Sequence, residues 1–307
     1  MAILKTLLQT QNSLRYPAKI YRHTRKSLCY LKNVLLWDER YSQLRQPKIK
    51  SAIPHDPEVE SEIIKKLREK GIEVVDFEIN IDDYRKFVAK AGYDKFPDYY
   101  QGGKGRNFIE KSLEHYLAAK LLGLSKEDVY IDIAASGSPA ADIYHDIYGC
   151  VTYKQDLVFP RGLQGNTIGS DASDMPLEDG FASKMGLHCS FEHFEQDSDK
   201  RFIKEAKRVL GKGGKLCIVP LYLFKDYAIQ TDPSFWPKEG ISFEQDAVVY
   251  CARGWKNRHG RFYDVPHFVD RIIKNLEGLK LTIYAVTNAK AVHPRCYLKF
   301  AAIFEKL

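Results

Sequence analysis

The sequence predicts an α/β protein whose central sheet is mostly parallel and ends in an antiparallel hairpin. From Asp128 onward, apolar runs of strand length alternate with loops and amphipathic helices, which is typical of parallel strands covered by helices. The four runs are VYIDIAA, CVTYKQDL, KMGLHCSF and KLCIVPLYL. Near the C-terminus, a short connection joins LKLTIYAV to CYLKFAAIF, and this pattern indicates two antiparallel strands.

The composition excludes wholesale disorder and a membrane-spanning chain. The 307 residues are 44% hydrophobic and 28% charged, which is enough apolar material for a sizeable core. The longest nearly unbroken apolar run, Leu216–Phe224, is too short to span a bilayer. The first residues lack the long apolar region of a secretory signal. The six cysteines include no CxxC pair, which argues against a disulfide framework and a zinc cluster, so we expect a cytoplasmic protein without a metal.

The positive charge is concentrated at the N-terminus. Residues 1–50 hold 11 Lys/Arg and 2 Asp/Glu, whereas the rest of the chain is nearly neutral. We therefore divide the chain into a basic arm (1–50), a helical and loop extension (51–104) and a domain (105–307) with an insertion at about 223–270. The arm could bind an anionic membrane surface, which would make the protein peripheral to a membrane, or a protein partner. Its irregular apolar stripe favours packing on its own domain.

Small and acidic residues follow the first two strands of the domain. Asp132 lies at the end of VYIDIAA and precedes a turn of small residues that could approach a ligand closely: Ala134, Ala135, Ser136, Gly137 and Ser138. Asp156, at the end of the next strand, lies 24 positions after Asp132 and suits ribose hydroxyls. An ordinary strand end and a solvated loop acid are the alternatives.

A second acidic site follows in IGSDASDMPLEDG. Asp171 offers a carboxylate acceptor, and Ala172 beside it is small, so the pair suits the amino edge of an adenine. A cap or turn acid is the alternative. The order of these motifs, continued by LHCSFEHF and FIKEAKRVLGKGGKLCIVPLY, resembles the class I S-adenosylmethionine-dependent methyltransferases, most closely their common small-molecule, methyltransferase-11-like branch. The resemblance covers roughly residues 105–222.

The resemblance implies a Rossmann-like, seven-stranded, mostly parallel sheet with a C-terminal antiparallel hairpin, and an N-terminal helical extension over or beside the cleft. It also implies S-adenosylmethionine as cofactor. Asp132 and the turn of Ala134, Ser136, Gly137 and Ser138 would lie under the methionine part. The family turn usually carries three glycines, and Ala134, Ser136 and Ser138 stand at those positions here.

The remaining cofactor contacts follow from the same resemblance. Asp156 would hold the ribose, and Asp171 and Ala172 would flank the adenine. Leu187 and His188, at the end of the next strand, would line the site between cofactor and substrate.

Three residues of LHCSFEHF are candidates for catalysis. His188 is the first choice for a general base, because strand ends at this edge of such sheets face the cleft. Glu192 and His193 are further candidates, although capping or pinning the following helix is the favoured role for them.

Two segments are candidates for the substrate pocket. Upstream, Tyr100 precedes the helix that carries Glu110, Glu114 and His115. Downstream, the segment WKNRHGRFYD suits an acidic, phosphorylated or polyhydroxylated substrate through Arg258, His259, Arg261 and Tyr263. A solvated loop is the equally weighted alternative for this segment. Tyr222, after the fourth apolar run, is another candidate.

The leading hypothesis is O-methylation of a small molecule or a sugar or glycan precursor. A non-catalytic scaffold that binds a partner and a nucleic-acid methyltransferase that uses the basic arm are the alternatives. Nucleic acid is disfavoured, because LHCS lacks the Asn/Asp-Pro-Pro-aromatic turn of base amino-group methylation and the body is slightly acidic. The absence of GxGxxG argues against a nicotinamide-dependent dehydrogenase.

Overall fold

The computed structural model describes residues 56–236, 241–252 and 254–307, together with Leu28, so the basic arm otherwise lies outside the described residues. The chain then runs through α1 (Pro57–Glu69), β1 (Glu73–Phe77), α2 (Ile81–Ala91), α3 (Tyr100–Gly103), α4 (Phe108–Leu122), β2 (Val129–Ile133), α5 (Ala140–Tyr148), β3 (Val151–Gln164), β4 (Thr167–Gly169), β5 (Ala182–His188), α6 (Ser198–Val209) and β6 (Leu210–Val219). The C-terminal part contains β7 (Ala228–Thr231), β8 (Val248–Cys251), β9 (Gly260–Phe262), α7 (Val265–Arg271), β10 (Leu279–Val286), α8 (Ala289–Val292) and β11 (Phe300–Lys306).

The main sheet confirms the predicted fold class. Its strand order is β1-β10-β11-β6-β5-β2-β3-β4, and β11 runs antiparallel to both of its neighbours. The sheet has eight strands, whereas the resemblance implies seven. The additional strand is β1, which pairs in parallel with β10 from Glu73↔Thr282 to Phe77↔Val286. Part of the predicted extension therefore belongs to the main sheet.

Apolar side chains form one core layer on each face of this sheet. One layer contains buried residues of α1, α6 and α7, such as Leu67, Phe202 and Phe268. The other contains buried residues of α2 and α4, such as Phe87 and Leu113. Because successive residues of a strand point to opposite faces, Leu187 lies in the first layer, and His188 faces the layer that contains α4.

The strand β3 extends beyond the predicted run, and its pairing with β4 changes register after Asp156. A Cβ atom on Gly169 of β4 would lie 2.0 Å from the Pro160 carbonyl oxygen, so only glycine permits this close approach. The extension exposes Leu157 (74%) and Val158 (68%).

The predicted insertion forms a second sheet with the order β8-β7-β9. No helix in the described part of the chain has the length and hydrophobicity needed to cross a membrane.

Candidate active site

The turn after β2 is held by the neighbouring strand β3. Ala134 has a φ of 54° and Gly137 a φ of 77°, both in the left-handed region. The Ala134 N–H donates to Gln155 Oε1 (3.2 Å), and the Ala135 N–H donates to the Gln155 carbonyl (2.9 Å). A Cβ atom on Gly137 would meet no atom within 4 Å, so the tip of the turn faces open space.

Asp156 lies beside this turn, as the sequence predicts. Its Oδ2 accepts a hydrogen bond from the Ser136 N–H (2.9 Å), and its Oδ1 accepts one from the Val158 N–H (3.1 Å). A carboxylate offers about four acceptor positions, so about two remain for a ligand. The structure therefore brings Asp156 and the small-residue turn together.

The segment after β4 contains the other two predicted adenine contacts. Asp171 is exposed, and its Oδ1 accepts hydrogen bonds of 2.8 Å from both the N–H and the hydroxyl of Ser173. Ala172 is buried and belongs to the core. The neighbouring Ser170 hydroxyl is buried and has no hydrogen-bond partner among the described residues.

Asp132 is an almost fully buried carboxyl group at the end of β2. Only 1% of the residue is exposed, and within the described ranges its Oδ2 has no hydrogen-bond partner. Burial raises the pKa of Asp132 to about 7, although the Ser138 hydroxyl and Lys154 act in the opposite direction. A buried acceptor without a partner is costly, so this atom is suited to a ligand.

His188 lies next to Asp132 across the sheet. Its Nε2 is 3.1 Å from the Tyr130 hydroxyl and 3.9 Å from Asp132 Oδ1, while its Nδ1 has no hydrogen-bond partner in the part of the chain described. Burial, assisted by the Lys111 ammonium, lowers the pKa of His188 to about 3. The imidazole is therefore neutral at physiological pH.

A buried ion pair on α4 faces the same region. Lys111 Nζ donates to Glu114 Oε1 (2.8 Å) and Oε2 (3.1 Å), and their side chains are 10% and 0% exposed. Burial raises the pKa of Glu114 to about 8 despite this partner. Glu114 is among the residues expected on this helix, whereas Lys111 was not predicted. Two charged residues three positions apart inside a strongly apolar helix were the available signal.

Cys189 connects the end of β5 to the segment after β6. Its thiol donates to Glu192 Oε1 (3.1 Å) and lies 3.3 Å from the Tyr222 hydroxyl. The Glu192 Oε2 atom is buried and finds no partner among the residues described. The structure thus brings the predicted residues Glu192 and Tyr222 together through Cys189, which sequence reasoning missed.

Two histidines link the insertion to the short helical turn Phe191–His193 that follows β5. They are His193 in the turn and His259 in the insertion. His193 Nδ1 is 2.5 Å from the His259 carbonyl oxygen, and His259 Nδ1 is 3.2 Å from the Glu192 carbonyl oxygen. Burial lowers the pKa of His259 to about 4. His193 therefore pins the segment before β9, whereas the sequence analysis favoured the following helix.

The other predicted substrate residues of the insertion lie in ion pairs. Arg261 is fully buried and binds Asp199 (2.9 Å) and Glu244 (2.5 Å), and the Tyr263 hydroxyl donates to Asp199 (2.7 Å). Arg258 binds Glu195 (2.7 Å) near the surface. The expectation of substrate contacts from Arg261 and Tyr263 does not agree with this placement, because a buried carboxylate already occupies both groups.

The segment around Tyr100 covers the polar face of α4. Four consecutive residues, Tyr100–Gly103, have positive φ angles between 45° and 91°. The adjacent Tyr99 hydroxyl is 3.2 Å from His115 Nε2, and this contact joins the segment to α4. Tyr99 also lines a cleft of about 460 Å³ whose opposite wall contains Ala135, Gly137 and Ser138. Leu187, in contrast, is fully buried in the core and does not face this region.

Residues 138–218 match the family model described as a methyltransferase domain. The matched segment spans about a quarter of the chain, and the mostly parallel sheet agrees with the fold that the resemblance implies. The match supports methyltransferase activity. No curated protein sequence matches the chain.

Several solved structures are similar to the chain. The 1,6-didemethyltoxoflavin-N1-methyltransferase of Burkholderia thailandensis, solved with 1,6-didemethyltoxoflavin and S-adenosylhomocysteine, is 12% identical over 76% of this chain and 92% of its own, with a TM-score of 0.43. An S-adenosylmethionine-dependent methyltransferase of Thermotoga maritima is 18% identical over 70% and 97%, with a TM-score of 0.40. A geranyl diphosphate methyltransferase, solved with its diphosphate substrate and sinefungin, is 13% identical over 68% and 82%, with a TM-score of 0.41.

Proposed function

We propose that the protein transfers the methyl group to a hydroxyl oxygen of a small molecule, with a sugar or glycan precursor as one such acceptor, and that His188 is the general base. The observation that carries the proposal is the buried His188 Nδ1, an acceptor without a partner among the described residues. It lies on the strand next to Asp132, where the resemblance places the methionine part of the cofactor.

The residues at the strand ends fit S-adenosylmethionine. The Asp132 Oδ2 and Ser170 Oγ atoms are buried without described partners, and the tip of the turn at Gly137 is open. Asp132 would bind the amino group of the methionine part, Asp156 the ribose hydroxyls and Asp171 the adenine edge. When bound, the cofactor supplies a methyl group already activated by its sulfonium.

His188 would then remove the proton of the attacking hydroxyl. The Tyr130 hydroxyl is the hydrogen-bond partner of Nε2, and the Asp132 carboxyl group lies 3.9 Å from the same atom, so Nδ1 is the ring nitrogen left for the attacking hydroxyl. The Tyr130 hydroxyl holds the ring in place. Burial keeps the base neutral, and α4 excludes water from it, which strengthens the electrostatic interactions of the site.

The experiment measures transfer from methyl-tritiated S-adenosylmethionine to a panel of hydroxylated small molecules. We expect His188→Asn to lower kcat by about 10²–10⁴-fold, the usual contribution of a general base. The exposed His145, on α5, provides the control variant His145→Asn.

Calorimetry with S-adenosylhomocysteine separates binding from chemistry, and we expect both variants to bind it as the wild type does. Full activity of His188→Asn would overturn the base assignment. Failure of the wild type to bind S-adenosylhomocysteine would favour the scaffold alternative.

A further inference from the structure

A buried polar cluster adjoins His188 and extends the site beyond the cofactor. We call it the Lys111 cluster, and its members are Lys111, Glu114, Cys189, Glu192 and Tyr222. Lys111 and Glu114 lie in the first half of α4, Cys189 and Glu192 follow β5, and Tyr222 follows β6. The carboxyl ends of parallel strands and a helix thus meet at the edge of the sheet where the small-residue turn also lies.

The ammonium group of this cluster already has a partner within the protein. Both carboxylate oxygens of Glu114 accept from the Lys111 ammonium, at 2.8 and 3.1 Å. Glu192 adds a second carboxyl group, which, together with burial, raises the pKa of both Cys189 and Tyr222. A phosphate or carboxylate bound here would have to displace Glu114 from Lys111 or lie against these carboxyl groups. Either arrangement is costly in a site of low dielectric.

Two of the buried atoms without described partners in this region, Glu192 Oε2 and His188 Nδ1, can accept hydrogen bonds, and the Ser190 hydroxyl between them in the chain can donate or accept. Glu192 is 6% exposed, and its Oε2 has no partner among the described residues, although its Oε1 accepts from the Cys189 thiol. The same holds for Nδ1 of His188, whose side chain is 5% exposed. A molecule that pairs both atoms must bring hydrogen-bond donors, because a buried acceptor left unpaired costs about 1–3 kcal/mol.

We infer that the methyl acceptor is an uncharged or cationic molecule with several hydroxyl or amino donors, and that Glu192 binds it while the Lys111–Glu114 pair excludes phosphorylated and carboxylated acceptors. The inference rests on the proposed function, since it names the acceptor class of the same site. It removes the acidic and phosphorylated substrates from the classes that the sequence left open. Of the two arginines that had suggested them, Arg261 is bound to Asp199 and Glu244, and Arg258 is bound to Glu195.

The test identifies the charge of the acceptor before it is methylated. A small-molecule extract of the cells that produce the protein is first separated on anion- and cation-exchange resins. The anionic, neutral and cationic fractions are then each incubated with the protein and methyl-tritiated S-adenosylmethionine. We expect labelled product from the neutral or cationic fraction.

The possible results are distinct. Label only from the anionic fraction would overturn the acceptor class and leave methyl transfer itself intact. Label from no fraction would contradict the proposed function, and with it this inference.

The variant Glu192→Gln tests the binding role of the carboxylate on the labelled fraction. We expect the apparent KM to rise roughly 10-fold while kcat changes less, because a hydrogen bond to a charged group is lost and the shape is kept. Glu178→Gln changes an exposed carboxylate elsewhere and is the matched control. An apparent KM that rises no more in Glu192→Gln than in Glu178→Gln would overturn the assignment of Glu192.

Discussion

The Asp156 carboxylate accepts a hydrogen bond of 2.9 Å from the backbone N–H of Ser136, so the end of β3 is bound directly to the turn that follows β2. The resemblance implies that these two residues serve one cofactor. In the structure they also stabilise each other's position. A glycine-poor turn can therefore keep its shape, because a side chain from the next strand binds its backbone.

This bond leads to a prediction for Asp156→Ala. We expect the affinity for S-adenosylhomocysteine to fall about 10–100-fold, because hydrogen bonds to a charged group contribute about 1.5–3 kcal/mol. Calorimetric titration measures the loss. The control is Asp76→Ala, on the exposed β1 strand at the opposite edge of the sheet, which we expect to bind as the wild type does. Equal affinities for wild type and Asp156→Ala would contradict the ribose assignment.

The buried Lys111–Glu114 pair should respond unequally to loss of either partner. Glu114→Gln leaves a buried ammonium without its carboxylate, and we expect a loss of about 3–5 kcal/mol in the free energy of unfolding. Lys111→Met should cost less, because burial already raises the pKa of Glu114 to about 8 and the carboxyl group can take up a proton. Urea unfolding of both variants at pH 7 checks the order. A larger loss for Lys111→Met would contradict it.

The same carboxyl group predicts a pH dependence for Lys111→Met. With a pKa raised far above the value near 4.5 of an ordinary glutamate, folded Glu114 binds a proton that the unfolded chain has released. Since the folded state then holds more protons, the free energy of unfolding should fall as the pH rises from about 5 to 8. Urea midpoints across this range measure the slope. The double variant Lys111→Met/Glu114→Gln should lack this component.

Asp199 is a buried carboxylate that joins the core helix α6 to the insertion and to α7. It binds Arg261 (2.9 Å) and Arg271 (2.8 Å) and is fully buried. Asp199→Asn removes the buried carboxylate that the two guanidinium groups share and leaves Arg261 with Glu244 and Arg271 with Asp197, and we expect a loss of about 3–5 kcal/mol in stability. The exposed pair Lys274–Asp270 gives the comparison, since Lys274→Ala should change stability by about 0.5 kcal/mol at most. Chemical unfolding of the two variants measures both losses. A large loss for Asp199→Asn shows that Arg261 belongs to a structural cluster, and a small loss would favour a solvated loop for the segment WKNRHGRFYD.

His267 should make the attachment of the insertion depend on pH. Burial lowers its pKa, but Asp246 at 2.9 Å and Asp264 at 2.6 Å outweigh this effect, so the pKa of His267 is raised. A raised folded pKa adds stability that is present below about 6.5, the unfolded value, and is lost as the pH rises through the folded value. The difference in Tm between wild type and His267→Gln should therefore shrink between pH 6 and 8.5. A constant difference would argue against the charged bridge.

Local patterns were sufficient to predict the parallel core of the fold. Apolar runs of strand length and the amphipathic helix before GKGG correspond to β2, β3, β5, α6 and β6 because each is long enough to fix its own periodicity. The place of β1 in the sheet could not be read in this way. Its five residues pair with a strand more than 200 positions away, and nothing in either segment specifies the other.

The candidate site was predictable where a residue type and a strand end coincide, as for Asp156 and His188. It was not predictable where tertiary packing decides the role. Arginine is a residue type that often binds phosphate, yet the fold places Asp199 against Arg261 in the core. Lysine in a helix is usually exposed to solvent, yet the side of α4 that carries Lys111 is buried.

The pairing of β1 with β10 also sets the order in which the protein can be completed during synthesis. Thr282 donates a hydrogen bond to Glu73 across 209 positions of the chain. A ribosome that adds about 5–20 residues per second needs some ten seconds or more to deliver that partner. Throughout this interval β1 lacks its place in the main sheet. The first strand of the described residues is thus among the last to be joined to the sheet.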